Sequence, residues 1–400
     1  MVSNLQLFVA GVVCLLLWRF VNALPTPKRT RTKRRRVMVV LGSGGHTSEM
    51  FGAIEQLPKE DWAQKTVMYV VSATDKDSRG VAEGFEMAWL GREARVFEIP
   101  RAREVGQSYF TSIFTTLHAF GAALTLVFDM HPDTILTNGP GVCIPIVAAN
   151  ILVSTLFINR PRATMTYFES FTCVDHLSLS GKIMLRLADA FTVQWPELAE
   201  KFKRKNVHYA GRFGDKPADT AKLIPAADKG MLGVGKERRT CVVTVGSTCF
   251  DELIRAVDTT EFYTAVTALG INHLFVQKGR STVELSDKFP SMLMSREVVE
   301  YRPGLPALIR KASLVISHAG AGTILEALNA GVPTVVVPNE RLMSNHQLQL
   351  AQALFARRHL LYTTPSGLAG ALQSGGWADL RAFPKPTGTV MRRIVNPLLE

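Results

Sequence analysis

Three times in this chain a short β-branched run stops at a small-residue turn and gives way at once to a helical pattern. The first instance is Val39-Val40-Leu41-Gly42-Ser43-Gly44-Gly45-His46, running on into Thr47-Ser48-Glu49. The second is Val243-Thr244-Val245-Gly246-Ser247-Thr248, followed by a helical pattern from Asp251. The third is the most developed: Ile316-Ser317-His318-Ala319-Gly320-Ala321-Gly322-Thr323-Ile324-Leu325-Glu326. Strand, turn and helix in that order are the building unit of a parallel α/β sheet. At its carboxyl edge the helix start offers unpaired N–H groups and a partial positive charge. Gly320 and Gly322 remove side chains where backbone must approach a ligand, so this turn is a seat for a nucleotide diphosphate. Glu326, one turn into the helix, is placed to accept hydrogen bonds from ribose hydroxyls. Asn345-His346-Gln347 follows the next strand and extends the same candidate site.

Further strand patterns fill both halves. In the first they fall at 37–41, 66–71, 95–99, 134–136, 163–168, 191–194 and 207–210; in the second at 241–245, 274–276, 298–301, 314–316, 334–337 and 360–362. Helical patterns separate them, which implies βαβ units. Four hundred residues exceed one ordinary core, and 47% apolar with 20% charged residues describes a packed chain. The division expected is a membrane anchor and basic stretch at 1–36, a Rossmann-like domain at 37–213, a linker at 214–239 and a second Rossmann-like domain at 240–400. Two such domains place a cleft between the carboxyl ends of their strands.

The net charge of +12 is concentrated: Lys28, Arg29, Arg31, Lys33, Arg34, Arg35 and Arg36 put seven cations in nine residues. An apolar run directly precedes them, and residues 5–24 are long enough to cross a bilayer if Arg19 snorkels. A cleaved signal peptide carries its cations before the apolar run. Here they follow it, so the positive-inside rule puts residue 28 onward in the cytosol, and no nucleic-acid partner is expected. A second uncharged stretch, 142–158, could be a membrane contact, but Pro145, Asn150, Ser154 and Thr155 favour a buried helix. The five cysteines form no CxxC pair and no zinc spacing, as in a reducing compartment.

The remaining chemistry sits at strand ends. The turn Gly42-Ser43-Gly44-Gly45, with Thr47, can hold a phosphate on backbone N–H groups, although it lacks the GxGxxG spacing of a dinucleotide site. His46 stands beside that seat as a general base or a charge stabiliser, or else as a structural histidine. Gly139-Pro140 forms another tight turn at a strand end, and Glu169, ending the next strand, is a second candidate base. In the other half, the Ser247 and Thr248 hydroxyls beside Gly246 suit phosphate oxygens, and Lys278 and Arg280 could neutralise a departing diphosphate. Asp75 and Asp77 have DxD spacing but lie far from the nucleotide-like turn, so no metal or other cofactor is expected.

At this point the motifs carry a resemblance. VTVGST at 243–248, ISHAGAGTILEAL at 316–328 and NERLMSNHQLQLA at 339–351 resemble the catalytic, donor-binding subunit of the eukaryotic UDP-GlcNAc transferase of dolichol-linked oligosaccharide synthesis. VLGSGGHTSEM at 40–50, IPRAREVGQS at 99–108, TNGPGVCIP at 137–145, YFESFTCVDHLSLSGKI at 167–183 and VQWPEL at 193–198 resemble its membrane-anchor subunit. Both halves also resemble the bacterial glycosyltransferase MurG, with its GT-B fold of two Rossmann-like domains facing a cleft. The resemblance implies a fusion of the two subunits, anchor half first. It implies an inverting enzyme that adds β-1,4-linked GlcNAc from UDP-GlcNAc to GlcNAc-diphosphate-dolichol at the cytosolic face of the endoplasmic reticulum. There it would work beside the transferase that adds the preceding GlcNAc-phosphate. By position in the family pattern, Ser247, Thr248, His318, Gly320, Gly322, Thr323, Glu326, Asn345, His346 and Gln347 hold the donor, and Gly44, Gly45, His46 and Glu169 face the acceptor. It leaves open whether His46 or Glu169 is the base. A transferase for another polyprenyl diphosphate, a UDP-GlcNAc 2-epimerase and a non-catalytic recruitment subunit are the rival readings.

Overall fold

Every strand pairing among the described residues is parallel. The computed structural model describes residues 4–23, 36–102, 107–139, 142–157, 159–211, 213, 238–287, 289–339, 346–386 and 388–399. The basic run at 28–35, Pro140, Asn345 and nearly all of the expected linker lie outside these residues, as does the side chain of His346. The chain divides into two compact units, one of residues 1–212 with 386–400, the other of residues 213–385.

The first unit opens with helix α1 (Asn4–Ala23), then β1 (Arg36–Val40), α2 (Gly45–Ile54), α3 (Lys59–Ala63), β2 (Thr66–Ser72), α4 (Lys76–Leu90) and β3 (Arg95–Ile99). It continues through α5 (Tyr109–Met130), β4 (Thr134–Asn138), α6 (Cys143–Leu156), β5 (Thr164–Phe168), α7 (Leu179–Leu187), β6 (Ala190–Val193), α8 (Pro196–Lys201) and β7 (Val207–Tyr209). The sheet order is β3-β2-β1-β4-β5-β6-β7. The central strands are apolar on both faces, as a sheet covered by helices on both sides requires: Val37, Met38, Val39 and Val40 are all buried. Val37, Val39 and Leu41 pack with Met50, Phe51 and Ile54 of α2.

The second unit carries β8 (Thr240–Thr244), β9 (His273–Gln277), β10 (Ser295–Val299), β11 (Leu314–Ser317), β12 (Thr334–Val336) and β13 (Leu361–Tyr362), in the order β10-β9-β8-β11-β12-β13. Each of the thirteen strands overlaps an expected one, and both sheets are doubly wound.

The structure departs from a simple two-halves division at the end of the chain. Residues 386–400 fall within the range assigned to the second domain, although the sequence leaves open where the last segment packs; they belong to the first unit. Met391 and Val395, four apart on one helical face, are buried in the core that holds Val37 and Val39. The Thr134 hydroxyl donates to the Leu398 carbonyl at 3.0 Å, and Asn396 donates to Asp61 at 3.2 Å.

α6 is buried along most of its length, as its uncharged sequence suggests, and packs against both α1 and α5. Arg19 donates to the Ser154 carbonyl at 2.7 Å instead of reaching for solvent, so its charge meets the carbonyl end of α6. The described side chains of α1, 11–21, are otherwise exposed and almost all apolar. A further apolar surface escaped the sequence reading. Within α5, Ser112–Met130 is long and apolar enough to cross a membrane, and Phe110, Ile113, Phe114 and Leu117 stand exposed at helical spacing.

Candidate functional site

In each sheet the strand order reverses once, between β1 and β4 in the first and between β8 and β11 in the second. Ligands of doubly wound sheets bind at the carboxyl edge of that reversal. The glycine-rich turns picked out by sequence leave the sheets at these two points, and at each a histidine ring fills the space between the two central strand ends. Their electrostatics are opposite.

In the first unit His46 sits in the first turn of α2, directly after β1. The Asn138 side chain, at the end of β4, donates to the His46 carbonyl at 2.6 Å. Gly139 has φ 67°, and a Cβ there would lie 2.7 Å from the imidazole Cγ, so the ring occupies the room a side chain would need. His46 Nδ1 lies 3.3 Å from Glu49 Oε2, one helical turn on. The other Glu49 oxygen accepts from the Ser170 hydroxyl at 3.0 Å and the Phe171 N–H at 3.1 Å, which fixes the carboxylate to the turn after β5. Nε2 of His46 has no hydrogen bond among the described residues, and the side chain keeps 27% exposure. Burial lowers the His46 pKa, but the Glu49 hydrogen bond and the charges of Glu49 and Glu169 outweigh it, so the net shift is upward. An oriented, partly accessible imidazole of raised basicity is equipped to take a proton.

Glu169, the other expected base, is only 2% exposed. Its Oε1 accepts from the Ser170 N–H at 3.1 Å, and its Oε2 from the Ser178 N–H and hydroxyl, both at 3.2 Å. A Cβ at Gly181 would fall 1.9 Å from Oε2, so α7 closes directly over this carboxylate. Burial raises its pKa against those hydrogen bonds. Glu169 thus ties the end of β5 to the start of α7 and acts on His46 through space. Thr47 is also turned inward: its hydroxyl donates to the Gly42 carbonyl at 2.5 Å and lies 2.7 Å from Ser78 Oγ. Ser43 and Gly44 are exposed, and no side chain caps the start of α2.

In the second unit His318 follows β11 and is only 5% exposed. Its Nδ1 lies 3.3 Å from the Thr244 carbonyl at the end of β8. Burial pulls its pKa down to about 4, opposed by that hydrogen bond, so the ring is neutral near pH 7. Two glycines face it. A Cβ at Gly320 would lie 2.7 Å from the imidazole Cε1, and one at Gly246 would lie 3.0 Å from it. These glycines therefore make room for His318, which packs against the backbone of both turns. Ala319 adopts φ 72°, a left-handed conformation costly for a residue with a side chain. The helix that follows, Ala321–Asn329, has no side-chain cap, and Gly322 and Thr323 lie in its open first turn.

The other donor-side candidates sort by whether they already have partners. The Ser247 hydroxyl is exposed and bonds no described residue, whereas the Thr248 hydroxyl donates to the Val245 carbonyl at 2.7 Å. Gln347 Oε1 is buried and unpartnered among the described residues. Glu326 is ion-paired with Arg310, yet its side chain keeps 30% exposure. The two expected cations are engaged: Lys278 pairs with Glu284, and Arg280 Nε donates to the Ser247 carbonyl at 3.1 Å. Arg280 therefore braces the turn around Ser247. Asp75 caps α4, its Oδ1 accepting from the Ser78 N–H at 3.1 Å. The residue that sequence reasoning missed is Glu49, although its spacing of three from His46 was a visible signal.

A doubly wound unit that turns an uncapped, glycine-bounded helix start toward the reversal of its sheet is an arrangement suited to a nucleotide diphosphate. Residues 240–389 match the glycosyltransferase family 28 C-terminal domain, and residues 37–213 match the family described as oligosaccharide biosynthesis protein Alg14 like. The chain belongs to the family of the UDP-N-acetylglucosamine transferase subunit ALG14, being 36% identical to the Homo sapiens protein over 213 residues, 51% of this chain and 94% of that one. Its second half is similar to the Homo sapiens UDP-N-acetylglucosamine transferase subunit ALG13, at 48% identity over 125 residues, or 31% of this chain. That match spans 11% of the much longer ALG13 protein. Among solved structures the fold is similar to Acinetobacter baumannii MurG, with a TM-score of 0.56 at 18% identity, covering 91% of this chain and 99% of that one. The expected pairing of both subunit types in one GT-B chain is thus found.

Proposed function

We propose that the chain transfers GlcNAc from UDP-GlcNAc to the 4-hydroxyl of GlcNAc-diphosphate-dolichol, with inversion, at the cytosolic face of the endoplasmic reticulum membrane. The observation that carries this reading is the presence, in one chain, of both subunit types with an open glycine turn at each sheet reversal. In this reading the second unit seats the donor. The helix start at Gly320–Thr323, with Ser247, neutralises the departing diphosphate, and Glu326 and Gln347 hold ribose and sugar. The first unit binds the acceptor diphosphate at Gly42–Gly45, and His46 Nε2 removes the proton from the attacking hydroxyl. Glu49 orients the imidazole and stabilises it once protonated.

The deciding assay incubates detergent-solubilised protein with labelled UDP-GlcNAc and phytanyl-diphosphate-GlcNAc, with and without EDTA. A chitobiosyl lipid formed in both is the expected product. Product lost with EDTA and restored by Mg²⁺ would replace helix-terminal stabilisation with a metal. No product from folded protein would overturn the transferase reading.

Two variants test the roles. A protonated imidazole cannot act as a base, and the His46 pKa is raised, so kcat/KM should climb with pH through a midpoint above the ordinary histidine value of about 6.5. Glu49→Gln removes both the ionic hydrogen bond and the charge, which lowers that pKa. The acid limb should therefore move to lower pH while the plateau rate falls, and an unmoved limb would detach Glu49 from the titrating group. Glu326→Ala should raise the donor KM about tenfold or more, since hydrogen bonds to charged groups contribute about 1.5–3 kcal/mol. An unchanged KM removes Glu326 from the ribose.

A further inference from the structure

Between α1, α5 and α6 the first unit leaves an open groove of about 390 Å³, lined almost wholly by carbon. Its floor is the one face of α6 that no other element covers fully: Ile144, Ala148 and Leu152, at i, i+4 and i+8, with Thr155 beyond them. Phe20 of α1 and Phe120 of α5 form the walls. From Ile144 to Thr155 the floor rises about 16 Å.

The two ends differ. α6 starts just beyond the Gly139 turn, whose backbone packs against His46, and the Cys143 thiol reaches the Gly139 carbonyl at 3.4 Å. The first lining residue of the groove, Ile144, thus lies in the first turn of α6, five residues beyond Gly139. At its far end Arg19 neutralises the carbonyl end of α6. The flanking helices carry the exposed apolar side chains of 11–21 and the bare face of Phe110, Ile113, Phe114 and Leu117. An uncapped helix start at one end and some 16 Å of hydrocarbon surface beyond it complement one chemistry, an anionic head on a linear apolar chain.

We propose that this groove binds the polyprenyl chain of the acceptor, with its diphosphate at Gly42–Gly45 and its first isoprene units along α6. This inference rests on the polyprenyl-diphosphate reading above and adds a chain-length-reading subsite to it. The tail is then held by protein before it passes into lipid, which fixes the direction in which the head meets His46.

The test uses the full-length protein in detergent and a series of GlcNAc-diphosphate acceptors of increasing prenyl length. The native protein should show kcat/KM rising at least tenfold with the first few isoprene units. Ala148→Trp, which fills the groove, should level that preference to within twofold, while the KM for UDP-GlcNAc stays within twofold of native. Ala148→Leu is the milder companion in case the indole disturbs folding. Independently, a diazirine-bearing prenyl diphosphate photolysed with the native protein should label the peptide 143–156. A preference that survives both substitutions, or label confined to other segments, overturns the groove. Label on α6 in a protein that transfers no sugar would keep the groove and reject the reaction instead.

Discussion

Replacing His46 by Gln should cut kcat by about 10²–10⁴-fold, equivalent to about 2.7–5.5 kcal/mol of barrier. The substitution keeps a polar side chain of similar size against Gly139 but removes the basic nitrogen. The His46 carbonyl that accepts from Asn138 belongs to the backbone, so the join between the ends of β1 and β4 survives. The donor KM should stay within about twofold, since the donor turn lies on the other unit, and the thermal midpoint should move little for a ring with 27% exposure. The pH dependence is the sharper readout. Residual activity in the variant should lose the acid limb that the native enzyme shows, because the titrating group is gone. A kcat within threefold of native, with the limb intact, would demote His46 to shaping the phosphate turn and return the search for the base to groups not yet assigned.

What could be read before folding follows from which signals are local. The strands were legible because β-branched runs bounded by glycine have few alternatives, and the two sheet reversals were marked by the glycine turns themselves. The His46–Glu49 pair was half legible: its spacing was visible, but the contacts that fix Glu49, Ser170 and Phe171, come from 121 and 122 residues away. Burial is not local at all. Glu169 and His318 sit in motifs that look ligand-facing, yet each is covered by its own unit, so in the proposed reading Glu169 serves as a strut and His318 as a plug behind the donor turn. The return of 386–400 to the first unit was equally hidden, since the buried pair Met391 and Val395 says that a helix face is apolar, not which core receives it. The exposed stripe on α5 was missed for a simpler reason: an apolar face reads the same in sequence whether it meets protein or lipid.

The plug assignment of His318 makes the second large prediction, and it is one that depends on two residues together. Gly320→Ala adds a methyl 2.7 Å from His318 Cε1 and 2.8 Å from Nε2, with the ring held by the Thr244 carbonyl and nearly closed off from solvent. Backbone strain is not the issue, because Gly320 has φ −66°. Overpacking of this kind costs about 1–3 kcal/mol. Because the displaced ring also supports the strained Ala319 turn, the start of the helix Ala321–Asn329 should shift with it, and the donor KM should rise by tenfold or more. His318→Ala alone removes the plug and loosens the same turn. If the two faults share one cause, they are not additive: with the imidazole absent, the Gly320 methyl has room, so the double variant should bind UDP-GlcNAc no worse than His318→Ala and should match its thermal midpoint. A donor-contacting His318 gives the opposite pattern, with losses that sum, because removing a ligand contact and blocking the backbone seat would then act separately. Titration calorimetry with UDP on the three variants separates the cases without relying on turnover.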